Sequence, residues 1–468
     1  MGSASRGHRQ RAGLFPRPRR GRLRRLGDAG GLLDGCSAGG APDRRPRLPP
    51  RVCRRRRHRI VTGPARTQHP PLRAAHLGLG AFHRAHQAWY TQQANERATA
   101  DDGWGIAAFT GRAPEAAELL SRNDGVYTVL ERSAEGDRAT TVQSIVRAVP
   151  GSDERAWLDT LTDPRVAVLT VTVTEAGYSA GSGVPRRIAD GLVARARAGA
   201  GPIAVVSCDN LPQNGRALRD VVRKAAGPQA VRLSDIASFV DTVVDRITPA
   251  VTPADIDAVR KLTGLDDPSA VVTEPFAEWI LAGEFPGGSP DWAQVGARFV
   301  ADVGPYEARK LYLLNAGHTF LAAAGRLRGY DTIAEAFGDA DLRADTEALW
   351  AAQRTAVDLP VAELDGWLDD LRLRFSNPRI AHRLDQIRRD SPIKVALRLV
   401  APLRRRREAG DAADDAQLHA VESWIRSLVE LDPTDPATAL IARTISALPA
   451  ADRARTVIDH LTPEGTLA

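Results

Sequence analysis

"RAAHLGLGAFHRAH", residues 73 to 86, runs an apolar strand into two closely spaced glycines and then into a helix. "RAAHLGLG" (73–80) reads as a strand, residues 84 to 97 read as a helix, and Gly78 and Gly80 stand at the junction between them. Glycines at that junction allow a tight turn and bring backbone N–H groups close to a phosphate, whose charge a helix N-terminus favours. The third glycine of the common dinucleotide fingerprint is replaced by His83, so the motif alone fits an ordinary strand-to-helix turn as well. Working outward, "GIAAF" (105–109), "RVAVLTVTVTE" (165–175) and "PIAVVSCDN" (202–210) repeat the short buried strand between helical stretches. This alternation predicts an α/β fold with a parallel sheet and covering helices, a Rossmann-like domain over residues 73–290. After residue 290 the strands fade, and a mostly helical C-terminal domain is expected over 291–468. No internal repeat is visible.

At 468 residues, with 43% apolar and 26% charged side chains, two soluble globular domains are expected. The net charge of +7 is misleading, because residues 1–70 hold 19 arginines against three aspartates. The remainder carries 45 basic and 54 acidic residues and is a poor surface for a phosphate backbone, so no nucleic-acid partner is expected for it. Residues 1–72 are expected to be a disordered, Arg-rich leader. With Cys36 and Cys53 in that leader, Cys208 stands alone in the body, and no apolar run reaches 18 residues; a cytoplasmic protein with no membrane partner is the expectation.

Past the second strand, Arg112 and Glu115 are candidates for the adenosine ribose: Glu115 favours NAD, whereas Arg112 could accept a 2′-phosphate. His76, His83 and His86 lack an accompanying carboxylate or cysteine set, so packing and cofactor contacts are expected of them and no metal. "SCDNLPQNG" clusters Asp209, Asn210, Gln213 and Asn214 at a strand end, where an amide aimed into a dry cleft can hold a carbonyl or alkoxide oxygen. An Asx turn accounts equally well for Asp209 or Asn214.

Only four of the 64 basic residues are lysine, so Lys310 within "KLYLLNAGH" (310–318) is a pointed departure from the arginine background. Arginine stays charged, whereas a desolvated lysine can shed its proton near neutrality and act as a base. At about 100° per residue, Asn315 and His318 fall about 140° and 80° from Lys310, on one side of a helix. Glu307, one turn earlier, would oppose the loss of charge if close, or could carry protons to solvent. Hydride transfer with Lys310 taking an alcohol proton is one reading; a buried Lys and His satisfied by Glu307 and backbone is the other.

The segments "HLGLGAFHRAHQAWY", "TVTEAGY", "SCDNLPQNG", "VDRITP", "EPFAEWIL", "PYEARKLYLLNAGH" and "RFSNPRIAHRL" occur in order over residues 74–398, and in them the chain resembles the long-chain polyol-specific dehydrogenases. That family includes mannitol 2-dehydrogenase, fructuronate and tagaturonate reductases and mannitol-1-phosphate 5-dehydrogenase. The resemblance implies a metal-independent, NAD(P)-dependent secondary-alcohol dehydrogenase, with NAD favoured and a sugar alcohol, ketose or hexuronate as substrate. It implies Lys310 as general base, Asn210 and Asn315 as the amides on the reacting oxygen, and Glu307 as proton relay. His318, Lys394 and Asp245 are implied at the substrate, although Asp245 and Arg246 could equally form a structural pair. Gly78, Gly80, Phe82, His83 and Glu175 fall at the cofactor cleft. Gln386 replaces a polyol-contacting arginine and resembles the hexuronate reductases. Arg383, Arg388 and Lys394 are the candidate cations for a carboxylate or phosphate. A sugar-phosphate dehydrogenase and a non-catalytic dinucleotide-binding regulator are the alternatives.

Overall fold

The computed structural model describes residues 63–467 apart from 100, 112, 180 and 411–414. The expected leader through residue 62, and Arg112, therefore lie outside the described residues. Residues 63–70 run as extended chain along the body, pinned by Arg66, whose guanidinium meets the Asp124 carboxylate at 2.9 Å and the Gln143 carbonyl at 2.6 Å.

In chain order the strands are β1 (Leu72–Leu77), β2 (Gly105–Phe109), β3 (Tyr127–Arg132), β4 (Asp137–Val142), β5 (Ile145–Val149), β6 (Val168–Val171), β7 (Ile203–Ser207), β8 (Ala237–Asp245), β9 (Val271–Thr273), β10 (Glu278–Ala282) and β11 (Arg298–Phe299). They make an eight-stranded sheet of order β11-β10-β8-β7-β6-β1-β2-β5 and a three-stranded sheet β4-β3-β9. From β8 through β5 the large sheet is parallel; β10 joins β8 antiparallel. Every residue of β2, β6 and β7 is buried, as parallel strands covered on both faces require. The order reverses direction at β1: the chain leaves it for β2 on one side and returns to β6 on the other. A crevice consequently opens beyond the C-terminal ends of β1 and β6, where open α/β sheets bind ligands.

Two segments depart from the sequence expectation. β6 stops at Val171, well short of residue 175, because Thr172 turns out of the sheet and donates its hydroxyl to the Gly78 carbonyl at 2.9 Å. The helix expected over 84–97 is broken at His86, whose backbone (φ −122°, ψ −88°) leaves the helical region while its Nε2 is held by the Glu278 carbonyl at 2.9 Å. Ala81–Ala85 and Gln87–Asn95 are thus separate helices.

From Gly304 onward the named elements are helices around a second core that includes Leu313, Phe320, Trp350, Phe375 and Leu399. The helix Ala316–Leu327 is buried from Ala316 to Gly325. Gly317 is required there, since an added Cβ would lie 2.9 Å from Trp350 Nε1. Residues 60–468 cluster as one unit, and the two halves meet through buried ion pairs described below. No helix among the described residues is long and apolar enough to cross a membrane.

Candidate active site

A cavity of about 670 Å³ opens at the crevice, walled by Gly78, Gly80, Phe82 and His83 after β1, Thr172, Thr174, Glu175 and Ala176 after β6, Asp209 and Asn210 after β7, Val244–Arg246 at β8, and Lys310. It shares Gly78, Thr172, Thr174 and Ala176 with a longer groove of about 1200 Å³ that continues past Gly111 and Gly151 to Trp157 and Arg187. Gly78 has φ +110°, and a Cβ on it would sit 1.9 Å from the Thr172 carbonyl, so no other residue fits without moving the strand ends. Gly80 has nothing nearer than 3.6 Å; whatever requires its bare backbone must come from the cavity side.

The three histidines divide their roles. His76 bridges Thr170 (2.8 Å) and Thr172 (3.1 Å) and stacks on His83 at 3.3 Å between ring centroids. His83 is fully buried against the cavity with neither ring nitrogen hydrogen-bonded. Burial lowers the pKa of His76 and of His86 to about 3 and that of His83 well below its ordinary value, so all three are neutral. No group of three His, Cys, Asp or Glu converges to hold a metal among the described residues.

The β7 end is built on Asn214, whose Nδ2 donates to the carbonyls of Asp209 (2.8 Å) and Thr242 (2.9 Å) while its Oδ1 accepts from Thr242 N (2.8 Å). Asp209 is held by Thr174 N at 2.8 Å and the Tyr178 hydroxyl at 2.9 Å. Both are structural, and they leave Asn210 projecting into the cavity.

Lys310 Nζ donates to Asn210 Oδ1 and to the Val244 carbonyl, each at 2.7 Å. No carboxylate oxygen lies within 4 Å of it among the described residues. Desolvation lowers its pKa and the Arg374 and Arg398 charges add to this, while Asp245 and Glu278 oppose. A neutral –NH₂ that donates to these two acceptors keeps its lone pair for the cavity, and an ammonium would bring a third hydrogen for which no acceptor is present among the described residues.

Residues Lys310–Asn315 form a π turn, whose i→i+5 pairing sets Asn315 over Lys310 more closely than an α-helix would. The Asn315 amide has no partner among the described residues, its carbonyl accepting instead from Thr319 and Arg398. His318 is buried, stacked on Phe375 and edge-on to His382, both at 4.5 Å, with its Nε2 unbonded and its pKa held well below the ordinary value by burial.

The acids near Lys310 are all engaged elsewhere. Asp245 accepts two bonds from Arg374 (2.7 and 3.0 Å), which also binds Glu274 at 2.8 and 2.9 Å; all three side chains are under 10% exposed. Asp245 is thus paired, but with Arg374 across 129 residues; Arg246 pairs with Glu131 at 2.6 Å. Glu307 accepts from Gln213 N at 2.8 Å, not from Lys310, and burial raises its pKa. Of the remaining candidates, Glu175 is on the cavity wall, Glu115 is exposed at the start of the helix Glu115–Ser121, and Arg383 and Gln386 are exposed on the helical half. Arg388 bonds Asp385 and the Asp432 carbonyl, and Lys394 bonds the Ile387 carbonyl at 2.9 Å and that of Arg389. Arg374 opens the "RFSNPRIAHRL" segment and Arg398 lies outside the quoted motifs; they are two among many arginines until the fold brings their charges to bear on Lys310.

Residues 72–294 match the mannitol dehydrogenase Rossmann domain and residues 302–443 the mannitol dehydrogenase C-terminal domain. D-mannonate oxidoreductase of Escherichia coli is 34% identical over 427 residues, covering 82% of this chain and 87% of that protein. Mannitol 2-dehydrogenase of Emericella nidulans is 32% identical over 67% of this chain and 69% of its own length. Among solved structures, Pseudomonas fluorescens mannitol 2-dehydrogenase in ternary complex with NAD and D-mannitol matches with a TM-score of 0.68 at 28% identity, over 83% of this chain and 87% of that one. With both domains matched in order around the Lys310 cavity, the chain belongs to the mannitol dehydrogenase family.

Proposed function

We propose that this chain is a metal-independent, NAD-linked dehydrogenase that interconverts a secondary alcohol of a sugar alcohol or aldonate with the corresponding ketose or ketouronate. The observation that carries the reading is the Lys310 amine, held in the cavity by two neutral acceptors at 2.7 Å with no carboxylate oxygen within 4 Å among the described residues. NAD suits the residues present: Gly78 lets the ends of β1 and β6 approach beside the cavity where a Cβ would strike the Thr172 carbonyl, and the groove of about 1200 Å³ continues from there past Gly111 and Gly151. When bound, NAD would supply the hydride acceptor or donor.

The chain's own residues handle the proton and the oxygen. Lys310 accepts the hydroxyl proton on its lone pair in the oxidative direction and returns it in the reductive one. Asn210, with its Oδ1 fixed by Lys310, turns its Nδ2 hydrogens toward the reacting oxygen, and the unpaired Asn315 amide approaches from the next turn; both stabilise developing negative charge without adding a fixed charge. Neutral His318 offers its free Nε2 to another substrate hydroxyl. Glu307, half-buried beside the Asn210 loop with a raised pKa, is the carboxyl suited to pass the proton outward. Asp245 acts through Arg374, shaping the field around Lys310 without touching substrate.

A sugar phosphate is less well supported, because Arg388 and Lys394 already spend their donors on the protein and Arg383 is exposed. The test is a panel of fructose, fructuronate, tagaturonate and fructose 6-phosphate with NADH or NADPH, run beside Lys310→Ala. Turnover of at least one ketose that falls by orders of magnitude in the variant is expected. Equal rates in the two proteins on the preferred substrate would remove Lys310 from its role, and no turnover with any pair would leave a dinucleotide-binding protein without this chemistry.

A further inference from the structure

Most buried arginines here face partners in the protein, although Arg309 Nε and the Nε and Nη2 of Arg187, which lies over Phe109 and Trp157, are unbonded. Arg246, Arg309 and Arg374 face carboxylates, and Arg195 is wrapped by the carbonyls of Leu161, Ala200 and Gly201. Arg398 is different. It lies on a second π turn, Ala396–Val400, and donates through Nη1 alone, to the Asn315 carbonyl at 3.5 Å and the Thr319 hydroxyl at 3.1 Å. Among the described residues no carboxylate lies within 4 Å of it, and its Nε and Nη2 have no partner, yet neither is sealed from solvent. Those two N–H groups form one edge of the guanidinium plane, with the spacing that receives both oxygens of a carboxylate.

Its position gives that edge a use. The carbonyl it grips belongs to the last residue of the turn that begins with Lys310, and Thr319 follows His318 directly. The charge of Arg398 is felt at Lys310 and His318, and its own pKa falls to about 10 through burial, with Glu175 on the cavity wall the acid that opposes. Arg398 is thus one hydrogen bond from the turn that carries Lys310 and Asn315, on the side where the far end of a linear substrate reacting at Lys310 could meet it.

We infer that Arg398 is a specificity residue that receives a terminal carboxylate, so that this active site is built for an aldonate and its ketouronate in preference to a neutral polyol and its ketose. The inference rests on the dehydrogenase reading above. One guanidinium edge matches a planar monoanion; a phosphate dianion would call for further free cations, and Arg388 and Lys394 are already engaged.

The test compares kcat/KM for fructuronate and for fructose with NADH in wild type, Arg398→Lys and Arg398→Met. Wild type should favour fructuronate. The fructuronate-to-fructose ratio should fall about 10- to 100-fold in Arg398→Met, mainly through KM for fructuronate, with Arg398→Lys intermediate because it keeps the charge and loses the paired donors. NADH affinity should hold in both variants. A preference of wild type for fructose, or a ratio unchanged in the variants, would overturn the inference while leaving the dehydrogenase reading intact. Turnover of neither substrate by wild type would overturn the inference, and the dehydrogenase reading would fall with it only if the rest of the ketose panel failed as well. If Arg398→Met does not fold, the ratio in Arg398→Lys decides, together with whether mannonate competes against fructuronate more strongly than mannitol does in wild type.

Discussion

Replacing Lys310 by arginine is the most direct trial of the proposed chemistry, because it keeps a cation at the site and removes only the ability to lose a proton. Lysine in this cavity is pushed below its ordinary pKa by burial and by Arg374 and Arg398. In the same surroundings a guanidinium holds its proton about two to three pKa units more tightly than an amine, so its neutral fraction there is about 10²- to 10³-fold smaller. If alcohol oxidation needs a neutral base, kcat/KM at pH 9 should fall by about two to three orders of magnitude, roughly 3–4 kcal/mol at the transition state. Lys310→Ala should lose about 10²- to 10⁴-fold, the usual worth of a positioned base. Asn210 Oδ1 and the Val244 carbonyl, each 2.7 Å from the missing nitrogen, remain to orient a small amine, so added methylamine should restore part of the alanine variant's rate and none of the arginine variant's. The assay is NADH formation from the preferred alcohol at pH 7–10, with NADH binding measured to confirm an intact cofactor site. An arginine variant retaining more than about a tenth of wild-type activity would refute the reasoning, since no proton could then be leaving this position.

Other consequences follow from the same contacts. In wild type, kcat/KM for oxidation should rise with pH and level off above a pKa lower than that of an ordinary lysine, while reduction, which needs the ammonium, declines over the same range; an inflection at or above 10.5 would contradict a desolvated base. His76 and His86, fully buried with folded pKa values of about 3, bind protons in the unfolded chain below about pH 6.5 but not in the folded one. Stability should therefore be complete above that pH and decline as the medium is acidified, by up to about 3 kcal/mol per pH unit for the pair, which urea unfolding at pH 7, 6 and 5 would reveal and a flat profile would deny. Arg374→Met leaves Asp245 and Glu274 buried and unpaired and should cost about 3–5 kcal/mol of unfolding free energy, against under 1 kcal/mol if the network were exposed. Gly78→Ala should prevent folding or destabilise severely, because its Cβ would meet the Thr172 carbonyl at 1.9 Å; Gly80→Ala should fold and lose NADH affinity, and equal stability losses would undo the distinction.

The parts legible in the sequence are those set by local pattern. Buried apolar runs and the two glycines disclose the sheet and its crevice, and a lysine among arginines discloses Lys310. Asn210 and Lys310 are placed together, and Asn315 sits one turn on. What the sequence hides comes from geometry that local period cannot express. An α-helical spacing puts Asn315 about 140° from Lys310, whereas the chain widens to a π turn there, and nothing in "KLYLLN" announces it. The break at His86 depends on a carbonyl nearly 200 residues away, at Glu278. Asp245, the last residue of β8, has Arg246 beside it in sequence yet pairs with Arg374, while Arg246 turns to Glu131. The substrate cations named from the sequence are engaged or exposed, and the one with open donors, Arg398, is an arginine in a chain full of them.

A lysine with Asp245 and Glu278 near enough to raise its pKa should keep its proton, and the resolution of that conflict is what makes the site coherent. An unpaired carboxylate at hydrogen-bond distance from Nζ would stabilise the ammonium and cancel the effect of burial. Here each acid is held away. Arg374 takes both oxygens of Asp245 and spans to Glu274; Arg309 takes Glu278; the Gln213 amide takes Glu307. The acids still contribute, since Asp245 and Glu278 moderate the fall in the Lys310 pKa that burial and two arginines impose. That moderation matters in both directions of reaction: a base driven too low would be neutral at all working pH values but too weak to take the alcohol proton, and one left too high would seldom be free to take it. The buried Arg374 triad joins the two halves of the chain through β8, the segment after β9 and the helix Val361–Phe375, so the same contacts that hold the helical half on the sheet also fix the field at the amine. Catalytic pKa and interdomain packing are consequently one structure, and a substitution at Arg374 should shift the pH profile and the unfolding midpoint together.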